Sequence, residues 1–192
     1  MRKLLLGLLL ILTSALPAGA QASVRLVYPA FNTYAAAATA YAGYVDPTDF
    51  FSITGSATKT VEIIHIQVTG SGTSTSQLDI NLLKRSTANT GGTPTALTKV
   101  PFDSRRSAAT ATVVTYAAAP TRGTLVGNIC ACQVELPAAA GVGGSTVRWD
   151  FLRLETGPLI LRSDSEVVAM AIQTGQFPNG MKLNITIYWT EN

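Results

Sequence analysis

One histidine and two cysteines leave this chain little with which to build a metal centre or a stapled scaffold. His65, Cys130 and Cys132 cannot complete a Cys/His zinc site unless carboxylates supply most of the ligands. Two cysteines also cannot be the framework of a disulfide-rich domain. Charge is scarce as well: 13% of the residues are charged against 47% hydrophobic, which argues against disorder and leaves stability to burial. The formal charge of +3 falls to +1 once Arg2 and Lys3 are assigned to a leader, since twelve basic side chains then face eleven acidic ones. Without a concentrated basic face, nucleic acid is excluded as a partner. No repeat of solenoid period occurs, and 192 residues suit one domain.

What the chain does have begins with a leader. Arg2 and Lys3 precede an apolar run from Leu4 to Leu16, and Pro17 to Ala22 supplies the small-residue exit of a secretory signal, residues 1–22. Ala20-Gln21-Ala22 fits the A-x-A pattern for cleavage after Ala22, and Ala18-Gly19-Ala20 fits it for cleavage after Ala20. The apolar run stops at Pro17, short of the ~20 residues that cross a bilayer, so no stable membrane insertion is expected after cleavage. The expected location is periplasmic or extracellular.

Threonine occurs 25 times, as often as all charged residues together, and with Val and Ile it biases the chain toward strands. Period-2 alternation agrees. In Met181 to Thr190, Leu183, Ile185, Ile187 and Trp189 share one face, with Lys182, Asn184, Thr186 and Tyr188 on the other. Thr60 to Thr69 is apolar on both faces and is expected at the centre of a sheet. Further strands are expected at Phe50 to Thr54, Gln77 to Lys84, Ala111 to Tyr116, Thr124 to Leu136, Thr146 to Leu154, Leu159 to Leu161 and Glu166 to Thr174. Glycine- and proline-rich turns separate them. The expected fold is all-β, a jelly-roll-like antiparallel β-sandwich over residues 50–192. Ser86 to Pro101 reads as a long surface loop.

Residues 23–49 read as an N-terminal arm. From Leu26 to Val45 there is no charge, Val27, Tyr28, Phe31, Tyr34, Tyr41, Tyr44 and Val45 with alanines between them supply an apolar surface, and Tyr34 to Tyr44 is the one segment with helical potential. Since the strands from residue 50 onward suffice to close a core, residues 27–45 are expected to pair with another copy, giving a homo-oligomer.

No catalytic, cofactor-binding or metal residue is expected. Ser56-Ala57-Thr58-Lys59 matches an S-x-x-K motif, but it bridges two strand-like runs, and its partner motifs are missing. His65 sits on a strand, and no G-x-S-x-G elbow accompanies it. Cys130 and Cys132 share parity with Val126, Val134 and Leu136, which makes them buried thiols. Their Cα atoms would lie ~6.6–6.8 Å apart on a strand, too far for an unstrained bond. Asp46 to Asp49 and Asp164 to Glu166 lack calcium-loop spacing and read as turns. Lys84-Arg85 and Arg105-Arg106 read as solvated pairs. Asn184-Ile185-Thr186 is a glycosylation sequon inside a strand.

The run from Asp46 to Val61, the run from Leu83 to Thr93, and Ala109 to Val113 followed by Gly123 to Gly127 resemble a family of small proteins associated with bacteriophage and prophage structural regions. Ile187-Tyr188-Trp189-Thr190-Glu191 is similar to that family's closing strand. The resemblance implies a non-enzymatic β-sandwich on a virion surface or fibre, with a capsid or tail partner and no catalytic residues. A leader is also what an exported bacterial module carries, so the second expectation is a secreted module binding a cell-surface glycan or protein. Solvent-exposed aromatic side chains would favour that second expectation.

Overall fold

The computed structural model describes residues 32–42, 48–138, 144–151, 157–172, 177–178 and 180–192. The expected leader and the arm up to Phe31 lie outside the described residues. Twelve strands and no α-helix occur among the described residues. They are β1 (Asn32–Tyr41), β2 (Asp49–Thr54), β3 (Val61–Ser71), β4 (Ser76–Arg85), β5 (Pro94–Ala96), β6 (Lys99–Pro101), β7 (Thr112–Tyr116), β8 (Leu125–Leu136), β9 (Val147–Asp150), β10 (Leu159–Leu161), β11 (Val167–Ile172) and β12 (Lys182–Glu191).

The first half of the chain pairs with the second half in reverse order: β1 with β12, β2 with β11, β3 with β9 and β10, and β4 with β8, all antiparallel. Successive pairs of this ribbon fall alternately in two sheets. One runs β10-β3-β12-β1-β6 with β9 also on β3, and the other runs β5-β7-β2-β11-β4-β8. That is the double-sheet jelly roll. The three strands between β4 and β8 extend the sheets, β6 beside β1 and β7 beside β2. The apolar parities of both sheets meet between them. Leu183, Ile185, Ile187 and Trp189 of β12 face Phe51 and Ile53 of β2, Ile80 and Leu82 of β4, and Val168 and Met170 of β11 within one buried cluster.

Two expectations about the N-terminal side are corrected. Asn32–Tyr41 is neither helical nor an arm outside the sandwich; it is an inner strand, in register with β12 from Asn32 opposite Glu191 to Ala38 opposite Ile185. Tyr34 stacks on Trp189 at 5.7 Å, its hydroxyl donates to Ser107 O, and the residue is fully buried. The sandwich therefore begins by residue 32 rather than 50. β12 pairs one edge of this segment along its length and β6 pairs the other at Tyr34 to Ala36, so there the strand is covered within its own subunit. Residues 43–45 lie outside the described residues.

Ser86 to Pro101 is not one long loop, since it contributes β5 and β6. It is also anchored. The fully buried Asp49 takes Arg85 Nε and Nη2 at 2.7 Å each and Asn89 Nδ2 at 2.8 Å. Arg85 Nη1 donates to Gly123 O, and Gly123 N donates to Asn89 Oδ1. A Cβ at Gly123 would collide with the Thr87 carbonyl, so the two loops approach this closely only through glycine. Arg85 is accordingly buried rather than solvated. Desolvating a charge this fully is tolerable because the guanidinium is met by both Asp49 carboxylate oxygens and the Gly123 carbonyl.

Candidate functional site

The residues singled out for chemistry are mostly turned to structural use. Ser56 Oγ accepts from Thr58 N at 3.2 Å, closing a turn, and meets Thr110 Oγ1 at 2.8 Å. Lys59 directs its ammonium to Glu191, 3.4 Å away, instead of to Ser56. Glu191 is fully buried and is the hub: Thr110 N, Ala111 N, the Thr110 hydroxyl and Trp189 Nε1 all donate to it. Burial works against its charge, but the donations from Ala111, Thr110 and Trp189 outweigh it and hold the carboxyl below its ordinary value. This network joins the closing strand to the turn before β3 and to the entry of β7.

Cys130 and Cys132 are free and half-buried rather than fully buried. They pack against the core on the inner parity of β8, and Trp149 Nε1 donates to Cys130 Sγ at 2.7 Å. Desolvation, then the neighbouring Cys130 and Asp79, pushes the Cys132 thiol up to about 11, so it is a poor nucleophile at neutral pH. Val126 does not share their face: bulges at Ile129 and Val126 interrupt the register with β4, and Val126 is 62% exposed. Of the two acidic runs, Asp49 is spent on Arg85, and Asp46 lies outside the described residues. Glu166 accepts from Arg162 N within its turn. No group of three or more metal-ligating side chains occurs among the described residues. Arg105 and Arg106 are exposed beside Asp103. Asn184 is exposed on β12, where its Oδ1 accepts from Ala40 N.

His65 lands elsewhere. Tyr188 pairs with His65 while Trp189 pairs with Ile63, so Ile64 is an extra residue and the parity of β3 switches there. The switch keeps Ile66 and Val68 in the core and turns His65 to the outer face. A row then crosses that face: Val100 of β6, Ala35 of β1, Tyr188 of β12, His65 of β3 and Asp150 of β9. The Tyr188 ring lies between two others, near-parallel to His65 at 5.5 Å and edge-on to Phe102 at 5.7 Å. Phe102 is 66% exposed. The next row holds Ala37, Thr186, Gln67 and Arg148, with Arg148 Nη2 donating to Gln67 Oε1 at 3.1 Å. Alanines at 35 and 37 keep the surface beside the rings low. The result is an aromatic strip bordered by hydroxyl, amide, guanidinium and carboxylate groups.

The strip escaped the pattern reading. Tyr188 is an aromatic on the polar parity of β12, whereas Phe102 falls outside every expected strand and the expected loop, and His65 reaches the outer face only because of the bulge. The fold and this surface define a double-sheet jelly roll with an aromatic outer face. Comparison of the chain with protein-family models, with curated proteins and with solved structures finds no match in any of the three. These comparisons add nothing to the phage resemblance, and the function rests on geometry.

Proposed function

We propose that this protein is an exported, non-catalytic binding module that recognises carbohydrate on a cell surface through the His65–Tyr188–Phe102 strip. The observation that carries this is the cluster of three adjoining rings on an outer sheet face, one of them two-thirds exposed. Sugar rings present C–H faces that rest against aromatic surface and hydroxyls that need partners. Thr186, Gln67, Arg148 and Asp150 stand one strand or one row from the rings and offer both donors and acceptors. The leader expected at residues 1–22 would carry such a module to where surface glycans are. Tyr188→Ala is the test, because this side chain points away from the core. Binding to immobilised neutral polysaccharides should fall about tenfold or more while the unfolding free energy drops by no more than about 1–2 kcal/mol, leaving the variant folded. Retained binding in this variant, or no binding to any neutral glycan by the parent, would overturn the reading.

A second reading, attachment to other copies on a virion surface, draws on β8. Leu125, Val126 and Ile129 stand 53%, 62% and 36% exposed along that edge strand. Large apolar side chains left exposed on an edge strand mark candidate contacts between proteins. In this reading Ile129→Lys turns an oligomer into a monomer in sedimentation; a parent that is monomeric at micromolar concentration removes it.

A further inference from the structure

The outer face of the opposite sheet carries a cleft of about 460 Å³ over β4, walled by the chain from Arg122 to Asn128. Its floor is low for a sequence reason. Asn81 of β4 stands between Ala171 of β11 and Ala131 of β8, two short side chains in one row. The next row brings Leu83, and Leu125 and Ile172 complete the apolar lining. The walls are polar: Asn128 and the guanidinium of Arg122 are exposed at the rim. Arg85 also borders the cleft, but its charge is neutralised by Asp49. The excess positive charge at the cleft is therefore that of Arg122. Asn81 adds an independent sign, since among the described residues its Oδ1 is buried without a hydrogen-bond donor. A buried acceptor left in this state is destabilising unless something supplies a donor.

We infer that this cleft is a binding site for an acidic sugar unit, with Arg122 pairing the carboxylate and the Asn81 and Asn128 carboxamides meeting ring hydroxyls. A pyranose fits the mixture on the walls. Its C–H surface lies against Leu83 and Leu125, its hydroxyls exchange donors and acceptors with the two amides, and a uronic carboxylate matches the planar fork of an arginine. A cleft of this volume lies within the usual range for small-ligand sites. The inference takes its ligand class from the carbohydrate reading, but the two sites are on opposite sheets and fail separately.

The experiment is a calorimetric and NMR titration of the full chain with a galacturonic acid trimer, a neutral galactose trimer and inorganic phosphate. The galacturonate trimer should bind at the cleft, shifting the amide signals of Asn81, Gly123 and Asn128, and neither of the other two should match it. Arg122→Gln should weaken that binding about tenfold or more, and Asn128→Asp should weaken it by placing a carboxylate opposite the ligand's own. Both positions are exposed, so both variants fold. Tyr188→Ala should leave it unchanged. Read from the Asn81, Gly123 and Asn128 signals, equal affinity of the cleft for the neutral trimer, equal affinity for phosphate, no binding of galacturonate, or loss through Tyr188→Ala rather than Arg122→Gln would each overturn the inference. Loss of neutral-glycan binding at Tyr188 with the cleft intact would bear on the proposed function alone.

Discussion

Glu191 shows how one side chain near the end of the chain ties distant segments together. Its carboxylate receives donors from Thr110, Ala111 and Trp189 and an ammonium from Lys59, so protonation would leave several of these unmatched. The folded carboxyl titrates below its ordinary value, whereas in the unfolded chain it titrates near about 4.3. The stabilisation from Glu191 is thus fully present above the unfolded value and is lost as the pH falls through the folded one. Glu191→Gln should be less stable than the parent by about 2–3 kcal/mol at pH 7. The gap should narrow as the pH is lowered below about 4 in urea titrations. A gap that stays constant with pH would show that the carboxylate's charge is not what the network uses.

Among the strands, bulges decide which side chains serve binding and which serve the core. The bulge at Ile64 moves His65 beside Tyr188, and those at Ile129 and Val126 turn apolar side chains outward on β8. β1 carries its own irregularity between Ala38 and Tyr41, where Ala40 has φ of 51° and donates its N–H to Asn184 Oδ1. A Cβ in the left-handed region is strained by about 1–2 kcal/mol, more than the backbone freedom a glycine would forfeit on folding. Ala40→Gly should therefore stabilise the protein by about 0.5–1 kcal/mol in denaturant unfolding, with the Asn184 contact kept. Destabilisation instead would mean that the alanine methyl contributes packing that outweighs the strain.

At the level of the whole molecule, the jelly roll is a ribbon whose ends are β1 and β12, and removing one end exposes the other. A chain beginning at residue 46 would lose one of the two strands that pair with β12 and leave Trp189 without Tyr34. It should fail to give a cooperative unfolding transition, whereas a separate assembly arm would be dispensable; a folded, sedimenting monomer from that chain would overturn the placement of β1. The sequence by itself determined the all-β class and nine of the strands, because alternation and β-branched residues act locally and the turns between them are written in glycine and proline. Leu159–Leu161 was legible to the residue, and the alternation of Leu183 to Trp189 carried over intact to β12. β1 was not legible, since four consecutive alanines carry neither alternation nor strand propensity, and only the gap between β12 and β6 makes a strand of them. Tertiary structure alone decided the strip and the cleft. Bringing Phe102, Tyr188 and His65 together takes three segments far apart in sequence and a bulge, and the cleft over Asn81 exists because alanines from β8 and β11 arrive on either side of it. Such sites depend on register between distant strands, which no local pattern encodes.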